Sequence, residues 1–406
     1  MAFREYEADR DRNAIHRIWT EIGWIQKPGQ EKLDRFLEAG TTLVENGERE
    51  LECAVFTTYG ELRHLQQDLP AGFIGGVTTG RAGRKQGLAS RLTAASLAKA
   101  ALNGVAVVGL TAFESGFYDR LGFGSSSYEN HLAFDPSQLK VSVAARPPVR
   151  LTPQDWQRAH RARLKRLKLH GACTLTSEFI TRSDMEWTDD RWGLGYETAN
   201  GDLSHYIFLD DGMGREARIC WMNYETIVQF QELLALIKTF GDQWMRVKMF
   251  EPPGVQMQGL LLQTSRGRCL TQNSPFEQYN RARADNQFRI CCIEKALSAT
   301  KIPGDTLRFN LCCDDPITNW SDDIEGWKGT AGEYTVTIGP ECSARRGATA
   351  GLDTLSASIC GFTRLWLGAV TPVGLALSGE IQAPAALLER LEDILRLPRP
   401  RTDWEF

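Results

Sequence analysis

The 406-residue sequence has no apolar run approaching the roughly 20 residues that span a bilayer. Its opening segment, MAFREYEADRDRNAIHRIW, is charged from the fourth position and has no apolar leader, so a cytoplasmic protein with no membrane partner is expected. Histidine is scarce: His16, His64, His131, His160, His170 and His205 form no HExxH or comparable ligand spacing, and no metal is expected. The ten cysteines are scattered and include the adjacent pairs Cys291-Cys292 and Cys312-Cys313, which suit neither a bridge framework nor a CxxC knuckle, so buried free thiols are expected. Neither a GxSxG elbow nor a GxxxxGK[ST] loop occurs, which removes the commonest hydrolase and NTPase readings. A formal net charge of -4 gives no global pull toward nucleic acid or acidic lipid.

What is present is an ordinary soluble composition, 42% hydrophobic and 24% charged, in a chain long enough for two or three domains. The first 135 or so residues alternate in period. A helical stretch near 9–28 precedes the strand-like runs TTLVE, ELECAVFTTYGELRHL and AGFIGGVTT; a helix GLASRLTAASLAKAAL, a strand VAVVGLTAF, a short helix SGFYDRLG and a last strand YENHLAF follow. A proline-bearing linker falls within DPSQLKVSVAARPPVRLTPQDW. A second α/β set then echoes the order of the first but has no glycine-rich basic turn before its long helix TIVQFQELLALIKTF. From about residue 287 short strands and two helices, RLWLGA and APAALLERLEDILRL, read as an α+β domain.

The run GRAGRKQGLASRL, residues 80–92, packs three glycines and four basic residues into thirteen positions at a strand-to-helix junction. Backbone N–H groups at a helix start lack intrahelical partners and carry the positive end of the dipole, so they suit a pyrophosphate; Gly87 and Ala89 are small enough to admit one, and Arg84 and Lys85 add charge. A basic helix start on a solvated surface is the other reading of the same residues.

Val77-Thr78-Thr79, then Arg84-x-x-Gly87-x-Ala89, then GFYDRLGFG after the next strand resemble the acetyl-CoA-binding core of the GNAT N-acetyltransferases. FYDRLGFG followed by a linker, a degenerate second GNAT-like half, a small α+β domain containing RLWLGA and a chain ending in EF resembles one branch, the Eis (enhanced intracellular survival) acetyltransferases, over the whole chain. That resemblance implies two tandem GNAT-like domains followed by a domain of sterol-carrier-protein type. The boundaries expected are 1–146 for the acetyltransferase domain, 147–286 for a GNAT-like domain without the cofactor loop, and 287–406 for a sterol-carrier-like domain that delivers the C-terminus.

The resemblance also implies roles. Acetyl-CoA is the co-substrate, flanked by the backbone of Val77, Thr78 and Thr79. Its pyrophosphate sits on Arg84, Lys85, Gln86, Gly87, Leu88, Ala89 and Ser90, with a further contact at Phe113 and Glu114. Tyr118 corresponds to the proton donor to the leaving thiolate, and the carboxylate of Phe406 to the proton acceptor. The implied reaction is direct acetyl transfer to a primary amine of an aminoglycoside-like molecule, a polyamine or a lysine side chain, in a homohexamer. Elementary chemistry agrees: the reaction needs a neutral amine, a polarised carbonyl, and a proton for the thiolate, which a tyrosine of ordinary pKa near 10 retains at neutral pH. Tyr118 as an amphipathic core residue is the alternative.

The chain departs from what the resemblance implies at Thr79, where the family commonly has an apolar residue, and at Gly76, where a member of the family has a bulky aromatic near the substrate, so the acceptor pocket is expected to be reshaped. Trp24 and Glu405 are the candidate substrate-binding residues; Trp19 and Phe36 either line the same pocket or belong to the core. The basic run WQRAHRARLKRLKLH (156–170) is expected to be a solvated helix and not a nucleic-acid surface. A different reading of the whole is a lipid or small-molecule binding protein on a catalytically silent GNAT scaffold.

Overall fold

The computed structural model describes residues 3–25, 31–187, 191–210, 216–263, 271–274, 276–320, 322 and 324–404. One long hairpin organises the N-terminal sheet: strands Leu51–His64 and Gln67–Thr79 pair antiparallel from His64↔Gln67 at the turn to Cys53↔Thr79 at the far end. Numbered from the N-terminus, the strands are β1 (Phe3–Glu5), β2 (Thr41–Asn46), β3 (Leu51–His64), β4 (Gln67–Thr79) and β5 (Val107–Thr111), and the helices α1 (Ala8–Glu21), α2 (Glu31–Glu38), α3 (Leu88–Leu102) and α4 (Ser115–Asp119). The helical stretch expected near 9–28 ends at Glu21, and α2 is an addition that its eight-residue length had hidden.

The sheet runs β1-β2-β3-β4-β5, and then departs from chain order. The free edge of β5 is taken by Asn286–Ile290, antiparallel from Asn286↔Thr111 to Ile290↔Val107, and Gly124–Ser125 lies beyond it. The strand Glu129–Phe134, expected as the last of the first α/β set, instead lies in a second, seven-stranded sheet between Tyr279–Arg283 and Val247–Phe250. Leu132 and Phe134 pack there with Val247 and Met249, while Phe288 and Ile290 are fully buried as part of the first sheet. Either sheet satisfies such alternating apolar residues, so neighbourhood along the chain does not decide the pairing.

The chain forms two compact units. One is drawn from Met1–Ser127, Leu169–Ser177 and Ala284–Phe406, the other from Tyr128–Lys168 and Glu178–Arg283. In the first, α3 lays Leu88, Leu92, Leu97 and Ala98 against Val55, Ile74, Val108 and Leu110 of the sheet. The same unit contains a five-stranded sheet in the order Ser343–Arg346, Gly332–Ile338, Leu307–Asp314, Thr354–Ser358, Ile381–Gln382. Its helix Ile359–Trp366 packs on Asn286–Ile290, where the Ile290 N–H donates to the Thr363 hydroxyl at 3.1 Å.

The second unit repeats strand, helix, parallel strand: Ala217–Asn223 and Val247–Phe250 pair parallel, joined through the helix Ile227–Thr239. The basic run 156–170 differs from a fully solvated helix. Arg163 and Arg166 are buried, and the Arg163 guanidinium lies 4.1 Å from the Trp221 ring centroid. Of the nine described cysteines, all unbridged, five are buried and Cys312 is exposed. Among the described residues no helix is long and apolar enough to cross a membrane, and no group of three or more His, Cys, Asp or Glu is arranged to hold a metal ion.

Candidate functional site

β4 and β5 pair parallel only from Ala71↔Val107 to Ile74↔Leu110. Beyond Ile74 they part, because β4 carries a bulge: the β3 register jumps from Phe56↔Gly75 to Ala54↔Thr78, so Gly76 and Val77 together oppose Val55. Gly76 is left-handed at φ +58. A bulge bends and twists its strand. The β5-facing backbone of Gly75 to Thr79 is thereby left without a sheet partner, and the extended groups implied as thioester neighbours, Val77, Thr78 and Thr79, line this opening. Their environments differ: Thr78 is buried, while Val77 and Thr79 are partly exposed.

Directly after β4 the chain makes one short turn, Arg81–Gly83, and enters α3 through Lys85 (φ +62) and Gly87 (φ +77). Carboxylates anchor this loop from behind. Glu52, almost fully buried, accepts from the Gly83 N–H (3.2 Å) and from Arg17 (3.0 Å), and Glu21 accepts from the Arg81 N–H at 2.8 Å. Arg91, one turn into α3, ties the loop from inside: it donates to the Gln86 carbonyl at 2.9 Å and to the buried Glu45 carboxylate at 2.8 Å.

The outward side is different. Arg84, Lys85, Gln86 and Gly87 are exposed, Ala89 and Ser90 partly so, and Leu88 is buried beneath them. Arg84 and Lys85 form no ion pair among the described residues. The cap of α3 is Gly87, which offers no side-chain acceptor, and the first turn holds no acidic residue. The opening N–H groups of α3 therefore point to solvent with the dipole's positive end uncompensated beside two cations, which is the make-up of an anion site. In the second unit the corresponding helix Ile227–Thr239 is closed by its own side chains. The Thr226 hydroxyl accepts from the Gln229 N–H (3.3 Å), and the Gln229 side-chain carbonyl accepts from the Thr226 N–H (3.2 Å).

β5 ends at Thr111; Phe113 follows at 80% exposure, with Glu114 also exposed. α4 then turns Tyr118 inward to 3% exposure, edge-on to Phe117 at 4.9 Å between centroids and packed near Phe123. Burial, with the charge of Glu114 as a smaller cause, pushes the Tyr118 hydroxyl up to about 12, so it stays protonated through the physiological range. That hydroxyl has no hydrogen-bond partner among the described residues.

On the other side of the bulge stands an aromatic wall: Trp24 edge-on to Trp19 (5.2 Å), Trp19 edge-on to Phe36 (5.6 Å), and Phe36 against Phe56 (4.2 Å). Trp19 is core, Phe36 half-buried and Trp24 exposed at 41%. A Cβ on Gly76 would come within 3.6 Å of Phe56, Phe36 and Trp19, so glycine leaves the wall room to stand against β4.

Glu405 and Phe406 lie outside the described residues. The segment before them is fixed in the first unit. The Arg401 N–H donates to the His170 carbonyl (2.9 Å), Asn286 donates to the Thr402 hydroxyl (2.7 Å), and the Asp403 carboxylate accepts from the Cys173 N–H (3.1 Å). Trp404 is buried. Sequence reasoning missed the Gly76–Val77 bulge, whose only trace is a Gly-Gly pair inside a strand, and the Glu45–Arg91 tie, which has no local trace.

Residues 12–126 match the acetyltransferase (GNAT) domain family, and residues 293–402 match the sterol carrier protein domain family. No curated protein matches the sequence. Among solved structures, a GCN5-related N-acetyltransferase from Anabaena variabilis is similar over 100% of both chains at 16% identity, with a TM-score of 0.79. One from Kribbella flavida is similar over 100% of this chain and 98% of its own, at 16% identity and a TM-score of 0.73. Eis1 from Mycobacterium abscessus is similar over 100% of both chains, at 14% identity and a TM-score of 0.75. At such identities the likeness speaks for the fold alone; the activity class of residues 12–126 and the sterol-carrier-like character of residues 293–402 come from the domain matches. With the splayed strands and the open helix start inside it, the segment 12–126 is an acetyltransferase domain of the GNAT class, in a chain whose fold is similar to that of Eis1.

Proposed function

We propose that the protein transfers acetyl from acetyl-CoA to a primary amine by direct attack, in the cleft between β4 and β5. The observation that carries this reading is the uncapped start of α3, with the unpaired Arg84 and Lys85 beside it, next to a bulge that frees the backbone of β4. The pyrophosphate would be held by residues Arg84 to Ser90, with Phe113 and Glu114 as further contacts to the co-substrate. A backbone N–H of the freed segment Val77 to Thr79 polarises the thioester carbonyl as charge develops on its oxygen.

The amine nitrogen then bonds to the carbonyl carbon, the carbon–sulfur bond breaks, and the sulfur leaves as a thiolate. Tyr118, protonated at any physiological pH, donates its hydroxyl hydrogen to that thiolate and recovers a proton from solvent. The amine's proton goes to the acceptor expected at Phe406; the bond between Asn286 and Thr402 supports this, since Asn286 is also bonded to Thr111 at the end of β5 (2.8 Å). Trp24, with Glu405, is the proposed acceptor contact. The aromatic wall beside Gly76 suits an amine carried on an apolar or flat body. A cytoplasmic homohexamer, as in the family, completes the reading.

Calorimetric titration with acetyl-CoA, followed by thiol release in the presence of polyamine, aminoglycoside and lysyl-peptide acceptors, tests it. Saturable binding with amine-dependent thiol release is expected; binding without release on any amine would favour a silent scaffold.

A further inference from the structure

α4, which carries Tyr118, is held from behind by residues from the other end of the chain. Arg289, in the strand Asn286–Ile290, is 0% exposed. Its Nη1 donates to the Leu121 carbonyl at 2.6 Å, and its Nη2 to the Asp315 carboxylate at 2.6 Å. Asp315 is equally buried and also accepts from the N–H groups of Ile317 (3.0 Å) and Thr330 (2.7 Å) and from the Thr330 hydroxyl (2.9 Å). Leu121 in turn donates its N–H to the Tyr118 carbonyl at 2.8 Å. Gly122, at φ +82, makes the approach possible: a Cβ there would stand 1.9 Å from Arg289 Nη1.

Two residues before Arg289, on the same side of its strand, Gln287 is also fully buried and donates to the Asp119 carboxylate at 2.8 Å. One strand thus grips the chain at residues 119 and 121, immediately after Tyr118.

Stability alone does not account for the charged member of this grip. A buried ion pair costs desolvation that its attraction barely returns, and apolar residues of similar volume commonly serve as well. What apolar residues cannot supply is a directed bond to the Leu121 carbonyl. Arginine supplies it while its second prong stays on Asp315, a geometry that its planar fork allows and a lysine ammonium does not.

We propose that Arg289 and Asp315 are positioning residues for Tyr118, so that the domain of sterol-carrier type contributes Asp315 to the alignment of the acetyl-transfer site. The inference rests on the acid role proposed above for Tyr118. Arg289→Lys keeps the charge opposite Asp315 and gives up the bond to Leu121. In this enzyme kcat is expected to fall by about 10 to 100-fold with KM for acetyl-CoA within about twofold, the pattern of lost alignment and not of lost binding. Introduced into Tyr118→Phe, the same change is expected to cost less than about twofold, because the group it aligns is gone.

Asp119→Ala, at an exposed residue, releases the second tie without leaving a buried charge; it decides the matter if Arg289→Lys does not fold, with a smaller fall in kcat expected. Equal losses with and without Tyr118, or full-speed Arg289→Lys and Asp119→Ala enzymes beside a slow Tyr118→Phe, would overturn the brace alone. A Tyr118→Phe enzyme as fast as wild type would instead overturn the acid role.

Discussion

The indole N–H of Trp19 donates to the Thr78 hydroxyl across 3.2 Å, with both residues buried, so α1 and its aromatic wall are tied to β4 just past the bulge. Thr78→Val keeps the shape and removes the acceptor, leaving a buried donor unsatisfied. A loss of about 1–3 kcal/mol is expected from the desolvation of that group, read as a lower midpoint in urea. An unchanged midpoint would mean that the bond adds nothing to the junction.

Gly87 is held at φ +77, and a side chain there would meet only the end of Arg91, 3.2 Å away. Gly87→Ala therefore tests backbone strain, expected at about 1–2 kcal/mol, with weakened acetyl-CoA binding. Gly87→Glu places a carboxylate where the pyrophosphate is proposed to lie and is expected to abolish calorimetric binding. Wild-type affinity in Gly87→Glu would return residues 80–92 to a solvated basic turn.

This loop was legible in the sequence because it is local: a strand, a glycine-rich basic turn and a helix follow one another within one stretch of chain. Tyr118 was singled out through its motif, and its place in the short helix after β5 was legible there too. The exchange of Glu129–Phe134 for Asn286–Ile290 was not, since both are short alternating strands and their partners lie far along the chain. Arg289, Asp315 and Arg163 look like surface charges in the sequence. Their burial follows from partners supplied by distant segments, Leu121, Thr330 and Trp221 among them, and no periodicity announces such a partner. The bulge was hidden for a related reason: Gly75-Gly76 has several meanings inside a strand until the register on both sides is known.

The pH dependence of turnover follows from the burial of Tyr118. A hydroxyl pushed up to about 12 remains protonated at pH 10, whereas a tyrosine left at its ordinary value of 10.0 would be half ionised there. No fall in kcat assignable to Tyr118 is expected up to about pH 10. Rate measurements between pH 7 and 10.5 check this, and a limb with a midpoint near 9 that Tyr118→Phe removes would contradict it.

Acid stability is expected to depend on a buried histidine pair. His64 is fully buried, stacks on Trp366 at 4.3 Å and donates to the Trp366 carbonyl, while His170 meets it edge-on at 4.9 Å. Burial, and then the neighbouring His170, lowers His64 from 6.5 to about 3, and burial lowers His170 as well. The folded-state values lie below the unfolded ones, so between pH 6.5 and 3 the unfolded chain binds more protons. The stability is present above pH 6.5 and lost as the pH falls, at about 1.4 kcal/mol per pH unit for each such group. Urea midpoints from pH 7 to pH 4.5 should fall steadily and should fall less steeply for His64→Gln; parallel profiles would contradict this account.

The central claim is that the buried hydroxyl of Tyr118 assists the departure of the thiolate from acetyl-CoA bound at the start of α3. It is tested most directly by thiol release from acetyl-CoA at saturating amine, for wild type and Tyr118→Phe side by side, with acetyl-CoA affinity measured on both. The account predicts equal affinity and a turnover slower by roughly 10² to 10⁴, the range for a lost general acid. A Tyr118→Phe enzyme within about threefold of wild type, below the smallest effect expected of such a group, would contradict it and leave Tyr118 as a residue of the core.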